Sequence, residues 1–386
     1  MEAVLKSQFL KMSLNITNSG LPRIACRLRS LFNTGNPQSQ FYAFLVSIST
    51  LLYLCNSTAT EAETREYWIA AEKVEWNYAP SGQNLIRPNM GLDVWGKALV
   101  YEKYRYIQYT DDTYITQVEQ PVWLGILGPQ LNVVEGDSVR VHFLNRADKP
   151  LSIHVHGLQY DEANEGADMK GSGAAVPPGG KFTYHWEADS DAAPGPNDPS
   201  SIVWLYHSHV DAVTEVYDGL IGTIVVTKKG MERASNDPRP KDIDKAFTTL
   251  FLVFNENDRK IVESGQIAEY DSPEEAEEGN LKHAINGYIF GNLHGLEVQQ
   301  HDRVRWYLIG LGTEVDMHTA HWHGQTVLNA GKRTDVVDLL PGSMVTVDMT
   351  AKTPGNWLYH CHVADHITAG MNTRWRVVPK PQKDAP

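Results

Sequence analysis

Residues 357–371 bring together side chains that bind soft or borderline metals. The segment contains His360, Cys361, His362, His366 and Met371. One Cys thiolate, two imidazoles and a weak Met thioether form the donor set of a blue-copper electron-transfer site. A free Cys is often only a small core residue, but that explanation does not account for a His on each side of Cys361. The spacing therefore predicts a copper site.

The alternation of this segment predicts a second metal centre behind the first. In an extended chain, residues i and i+2 share a face and residue i+1 points the other way. Cys361 can then serve one metal while His360 and His362 reach another. A protein that passes electrons between two copper sites has a use for this arrangement.

Three further stretches contain closely spaced His residues. One such pair on a strand is a weak signal, because period-two patterning produces it by coincidence. However, ten of the fifteen His of the chain fall in four clusters. In chain order, the clusters are His154 and His156; His207 and His209; His318, His321 and His323; and His360, His362 and His366.

Composition limits the class of protein. A chain of 386 residues is long enough for two or three domains. The formal charge of −13 argues against nucleic acid as a partner, which requires a basic surface. An acidic surface suits metal cations, although a solvated acidic face is its commoner cause. Cys26 and Cys55 both precede the folded body, which predicts a body without disulfides.

Residues 1–62 have the layout of a leader. Arg23, Arg27 and Arg29 precede an apolar run at residues 41–55, and small residues follow. This pattern predicts a secretory signal and an extracellular or periplasmic protein. The run is shorter than the roughly twenty residues of a membrane span, and an uncleaved signal-anchor remains the alternative.

From residue 63 onward the chain is predicted to be all-β, with a repeat. Alternating strands are separated by turns rich in Gly and Pro, which indicates sandwiches or barrels. Similar motifs recur in two halves, predicting domains at residues 63–228 and 246–380 with a polar linker at 229–245. Ser208 stands in the first half where Cys361 stands in the second. Without a thiolate, the first domain is expected to lack a type 1 copper.

The four His clusters together match the copper motifs of the multicopper oxidases. The chain resembles a two-domain member of this family and, within it, the ceruloplasmin and hephaestin ferroxidases. The resemblance runs through roughly residues 66–380. Other shared motifs lie at residues 108–112, 121–129, 219–222, 253–257 and 283–287.

The resemblance implies two cupredoxin-like Greek-key β-sandwich domains and four coppers per chain. The type 1 copper would be bound by His318, Cys361, His366 and Met371. The type 2 copper would be bound by His154 and His321. The type 3 pair would be bound by His156, His207, His209, His323, His360 and His362.

The same resemblance implies an oxidase that transfers electrons from the type 1 copper through Cys361 to the cluster that reduces dioxygen to water. In the ferroxidases, an iron site lies beside the type 1 ligands. The matching residues are Glu278, His283 and Asp365, with Glu314 serving the adjacent subunit. Acidic runs such as residues 274–278 are usually solvated loops, and Asp365 could instead orient His366.

The sequence is also compatible with other functions. A laccase-like oxidase of phenols is the main alternative to a ferroxidase. A non-enzymatic scaffold is disfavoured by the intact ligand set. A copper nitrite reductase has no use for the His-Cys-His bridge.

The chain departs from the large ferroxidases in two respects. They have six such domains in a ring, whereas this chain has two, so three copies would supply the same number. A closed ring of this kind is an allowed assembly, which predicts a homotrimer with each trinuclear cluster at a subunit interface. Ser201 and Thr227 stand where the relatives carry a disulfide in the first domain.

Overall fold

Among the described residues, β-strands are the predominant secondary structure, which confirms the predicted all-β class. The computed structural model describes residues 62–167, 171–258, 270–313 and 316–380. The predicted leader therefore lies outside the described residues, except for residue 62. No helix among the described residues is long and apolar enough to cross a membrane.

Two four-stranded sheets form the first half of the described chain. The strands are β1 (Thr64–Asn77), β2 (Val100–Tyr109), β3 (Gln130–Val134), β4 (Ser138–Asn145), β5 (His154–Val155), β6 (Lys181–Glu187), β7 (Ser201–His207) and β8 (Ile221–Thr227). The orders of the two sheets are β2-β1-β4-β6 and β3-β8-β7-β5. Apolar side chains from both sheets pack together between them, including Phe143, Trp186 and Tyr206.

A larger pair of sheets forms the second half. The strands are β11 (Lys245–Asn255), β12 (Leu281–Ile285), β13 (Glu297–Gln299), β14 (Arg303–Gly310), β15 (His318–Trp322), β16 (Val327–Asn329), β17 (Lys332–Thr334), β18 (Val336–Leu339), β19 (Ser343–Thr350), β20 (Gly355–Cys361) and β21 (Asn372–Val378). The orders of the two sheets are β12-β11-β14-β19-β16-β17 and β13-β21-β20-β15-β18. Between the halves, β9 (Glu232–Ala234) and β10 (Asp237–Pro240) pair with each other.

Within the described ranges, three short α-helices lie close to the predicted ligands: α1 (Ala212–Asp218), α2 (Pro273–Gly279) and α3 (Ala364–Thr368). The helix α1 follows His209, and its first turn is capped by the Asp211 carboxylate. The Ser272 hydroxyl caps α2 in the same way, and α3 carries Asp365 and His366.

Two of the shared motifs meet where the halves of the chain pack together. Asn286, at a left-handed φ of 50°, is fully buried. Its carbonyl accepts from Ile126 N at 3.0 Å, and its side-chain amide donates to the Trp123 carbonyl at 2.6 Å. Gly125 is required there because a Cβ would lie 2.1 Å from the Asn286 oxygen. The motifs at 121–129 and 283–287 are therefore parts of one contact.

A second contact between the halves uses the position of the missing disulfide. Ser201 and Thr227 are directly paired on β7 and β8. The Ser201 hydroxyl accepts from the buried Arg305 guanidinium at 2.7 Å and lies 2.7 Å from the Tyr307 hydroxyl. Thr227 Oγ1 is buried and has no hydrogen-bond partner among the described residues. Ser201 thus ties the first half to β14 of the second.

The apolar core near these contacts also spans both halves. One cluster of buried side chains joins Leu124 and Val203 to Phe251 and Trp306. The described chain from Ala62 onward accordingly forms one compact unit. The domain boundaries at 63–228 and 246–380 remain a prediction.

The buried hydroxyls of Ser201 and Thr227 are expected to make different contributions to the free energy of unfolding. We expect Ser201→Ala to lower the free energy of unfolding by about 1–3 kcal/mol, because it removes the Arg305 acceptor from a buried site. Thr227→Val is the matched control and should be neutral or stabilising, since it removes a hydroxyl without a partner. Urea unfolding measures both. Equal effects of the two substitutions would contradict the assignment.

Candidate metal centres

The pairing of β15 with β20 positions the second-half ligands. His321 lies opposite His360, and Ala320 lies opposite Cys361. Residues directly opposite in an antiparallel pair share a face, and adjacent residues alternate. His360 and Cys361 therefore belong to different clusters, on the two faces of one sheet.

On one face, His318, Cys361 and His366 bring their ligand atoms within 4.8 Å of one another. The Nδ1 atoms of the two His are 3.2 Å apart, and Cys361 Sγ lies 3.6 Å from His366 Nδ1. Met371 is fully buried, and its carbonyl accepts from Cys361 N at 3.0 Å. The three ligand residues are all buried as well.

Backbone contacts orient the His of this cluster. His318 Nε2 donates to the Leu311 carbonyl at 3.2 Å, which leaves Nδ1 for a metal. Metal-binding His commonly uses its other nitrogen in this way. Two imidazole nitrogens, a thiol sulfur and a nearby buried Met fit a type 1 copper site. Burial raises the pKa of the Cys361 thiol, so metal binding must displace its proton.

On the opposite face, His321, His323, His360 and His362 form a second cluster. His321 Nδ1 and His323 Nε2 each lie 3.1 Å from His360 Nε2. His360 Nδ1 donates to the Cys361 carbonyl at 2.6 Å and so directs Nε2 into the cluster. The His362 ring centroid is 5.1 Å from that of His321.

The first half repeats this arrangement. His154 lies opposite His207 on β5 and β7. His156 Nε2 is 3.1 Å from His207 Nε2, and the His209 ring centroid is 5.2 Å from that of His154. His207 Nδ1 donates to the Ser208 carbonyl at 2.8 Å, as His360 does to Cys361. His156 and His207 therefore correspond to His323 and His360.

The imidazoles thus form two four-His half-sites. The first-half site is His154, His156, His207 and His209; the second-half site is His321, His323, His360 and His362. Within each half-site, ring centroids lie 4.8–5.7 Å from their imidazole neighbours. The ring contacts join imidazoles of the same half-site. Each half of the chain therefore contributes one cluster of four imidazoles.

Burial keeps several of these imidazoles neutral. Desolvation, reinforced for most by neighbouring imidazoles, lowers the pKa of a group of His to about 4. The group is His156, His207, His318 and His360. A neutral imidazole has a free nitrogen lone pair, which metal binding requires. These residues are therefore ready to bind metal at neutral pH.

The predicted iron-site residues are only partly brought together. His283 is buried, and its ring centroid is 5.1 Å from that of His366. Asp365 is exposed beside His366, and Glu278 is exposed near the end of α2. Among the described residues, the clusters of three or more ligands within 4.8 Å do not include Glu278, His283 or Asp365. Glu314 lies outside the described residues.

Comparisons with known proteins identify the family. Two sequence models, each described as multicopper oxidase, match residues 106–230 and 262–381. The chain belongs to the multicopper oxidase family, as the resemblance predicted. Membership in this family implies copper as the metal.

Individual relatives agree with this assignment. The chain is similar to Homo sapiens hephaestin, with 36% identity over 82% of this chain and 30% of hephaestin. It is similar to Homo sapiens ceruloplasmin, with 34% identity over 86% of this chain and 33% of ceruloplasmin. It therefore spans about a third of the length of these curated relatives. A solved structure of the multicopper oxidase mgLAC matches with a TM-score of 0.56 and 20% identity, over 84% of this chain and 90% of that one, which supports the fold.

Sequence reasoning did not find several polar residues that support the clusters. Ser152 and Thr319 bind the backbone next to the His ligands, and Glu215 is buried beside Ser208. Asp335 lies 3.6 Å from His321 Nε2. The sequence offers one signal for them: Ser152 and Thr319 occupy equivalent positions in the two halves, two residues before His154 and His321. That signal does not show which groups they contact.

The lowered pKa values predict an acid-sensitive metal-free protein. The His pKa is about 4 when folded and 6.5 in the reference state, so the unfolded chain binds more protons between these values. We expect the free energy of unfolding to fall from pH 6.5 toward pH 4, by about 1 kcal/mol or more for each such His. Urea unfolding at pH 7 and pH 5 measures this.

Substitution of a buried His tests the cause of this pH dependence. His318→Gln should reduce the pH dependence, because His318 is 1% exposed and its pKa is lowered. A free energy of unfolding that stays constant between pH 7 and pH 5 would contradict the prediction.

Proposed function

We propose that this protein is a secreted ferroxidase that couples the one-electron oxidation of ferrous iron to the four-electron reduction of dioxygen to water. The contact between His283 and His366 is the observation that carries the iron assignment. It places a metal-binding side chain of the proposed iron site directly against a proposed type 1 ligand. The predicted leader supports secretion.

In this proposal the side chains hold four coppers per chain. His318, Cys361, His366 and Met371 would hold the type 1 copper, which supplies one-electron redox chemistry when bound. His154 and His321 would hold the type 2 copper. The type 3 ligands would be His156, His207, His209, His323, His360 and His362.

The chain itself provides a short covalent path between the proposed centres. Cys361 lies in the buried cluster with His318 and His366, and its sequence neighbour His360 lies in the second-half site. The peptide from Cys361 to His360 therefore connects the two faces of the sheet. His362 continues the same connection on the other side of Cys361.

Carboxylates would attract ferrous iron to the type 1 cluster. Oxygen and imidazole ligands suit first-row divalent cations. Asp365 is exposed next to His366, and Glu278 is exposed next to the helix end that leads to β12 and His283. Glu314 of a neighbouring subunit would complete the set.

A neighbouring copy of the chain would also complete the oxygen site. Each chain carries one first-half site and one second-half site, and in the proposed function a trinuclear centre needs one of each. Exposed apolar side chains flank the first-half site: Val210 is 37% exposed and Val213 is 64% exposed. We therefore propose a homotrimer closed head to tail. A copper-loaded monomer that still reduces dioxygen would refute it.

One observation favours phenols as an alternative substrate. Met317 is 56% exposed and precedes His318, and Leu340 is 58% exposed and follows Leu339. His318 and Leu339 lie opposite each other on β15 and β18. An apolar surface beside a type 1 ligand suits an aromatic reductant. A laccase-like oxidase is therefore the second candidate.

Removing the carboxylates distinguishes the two substrates. We expect Asp365→Ala and Glu278→Ala each to lower kcat/KM for ferrous iron by about tenfold or more, the usual scale for loss of a group that supports metal binding. Oxygen consumption with a simple phenol should change little. Asp112→Ala, an exposed carboxylate in the first half, is the control.

The opposite pattern supports the second candidate. If phenol is the better substrate and Asp365→Ala leaves iron turnover unchanged, the carboxylates have no role in iron oxidation. The protein would then be a laccase-like enzyme.

A further inference from the structure

The first half contains a buried polar cluster at the position of the second-half type 1 cluster. We call Ser152, Ser208 and Glu215 the serine–glutamate cluster. Ser152 and Ser208 are fully buried, and Glu215 is 1% exposed. A carboxyl group is costly to bury without polar partners. Its partners therefore indicate what it stabilises.

Each member of the cluster binds the chain next to a first-half His. Ser208 Oγ accepts from Ser152 N at 3.0 Å, and Ser152 Oγ accepts from His209 N at 3.0 Å. The Glu215 carboxylate accepts from Val210 N at 3.1 Å, and the Ser208 side chain lies beside it. The cluster thus joins the segment before His154 to the segment that contains His207 and His209.

The second half has the same two backbone bonds around its thiol. Cys361 Sγ accepts from Thr319 N at 3.3 Å. Thr319 Oγ1 accepts from His362 N at 3.1 Å. Ser208 and Ser152 therefore occupy the places of Cys361 and Thr319, with a hydroxyl in place of the sulfur.

The halves differ in the group that would connect Ser208 or Cys361 to the neighbouring segments. In the second half, a type 1 copper would connect Cys361 to His318 and His366. In the first half, Leu151 stands three residues before the His pair, where His318 stands in the second. The cross-link there is the Glu215 carboxylate, which extends from α1 to Ser208 and Val210.

We propose that Glu215 is a positioning residue for the first-half imidazoles and replaces the cross-link that a type 1 copper would provide. It acts through Ser208 and Val210, which lie on either side of His209, and it does not contact the metal. This role rests on the proposed function of His207 and His209 as copper ligands. Loss of the carboxylate should loosen those two His and leave the second-half type 1 cluster intact.

Two substitutions of Glu215 in the full-length, copper-loaded protein test the role. Glu215→Leu fills the space but removes the hydrogen bond to Val210 N and the polar group beside Ser208. Glu215→Gln keeps an amide oxygen for Val210 N–H and a polar group beside Ser208. Three quantities are measured for each protein: copper per chain, the blue absorption of type 1 copper, and the paramagnetic resonance signal of type 2 copper.

The expected result is a split between the two kinds of copper. Glu215→Leu should bind the type 2 and type 3 coppers about tenfold or more weakly, the scale for loss of a group that orients a ligand. Its blue absorption should remain at the wild-type level. Glu215→Gln should resemble the wild type in all three quantities.

Other results would overturn the role in distinguishable ways. Full copper content in Glu215→Leu would show that the carboxylate does not position the ligands. Parallel loss of blue absorption would show a general structural role instead. A wild-type protein with only type 1 copper would overturn the proposed oxygen site as well, because there would be no first-half metal to support.

Discussion

The hydrogen-bonded register between β15 and β20 is the constraint on which the proposed chemistry depends. It places His321 opposite His360 and Ala320 opposite Cys361. Because side chains alternate along a strand, one residue of slip would exchange the faces of the thiol and the imidazoles. The first half has the same register, with His154 opposite His207. The same strand pairing in each half therefore positions the half-site of that half.

The two halves of the chain share this strand pairing but differ in a few buried side chains. In the second half, Cys361 faces His318 and His366 in a soft donor cluster. In the first half, Ser208 binds Ser152 and lies beside Glu215. The halves are joined by Asn286 at the packed motifs and by Arg305 at Ser201. In the proposed function, electron entry and oxygen reduction would take place on different faces of the same sheet.

Several of these features could be predicted from the sequence because they depend on local periodicity. The alternation around Cys361 predicted two clusters on opposite faces, and Ser208 distinguished the halves. The all-β class followed from short strands and turn residues. Features set by tertiary contacts could not be predicted: the Leu311 carbonyl that orients His318, or the Glu215 side chain that reaches Ser208 from α1. The Asn286 contact joins residues more than 160 positions apart, so its geometry was also beyond a local pattern. The proposed iron site draws its side chains from α2, β12 and α3, which are far apart in the sequence, and Glu314 lies outside the described residues.

Mixing two inactive variants tests most directly whether the oxygen site is shared between chains. His207→Ala damages only the first-half site, and His360→Ala damages only the second-half site. If the sites lie between subunits, dissociating and reassembling an equal mixture should restore about a quarter of wild-type oxygen consumption, because one head-to-tail interface in four then joins two intact half-sites. Each variant reassembled alone should stay inactive. If the mixture also stays inactive although mass spectrometry shows mixed oligomers, the oxygen site lies within one chain and the shared-site proposal is wrong.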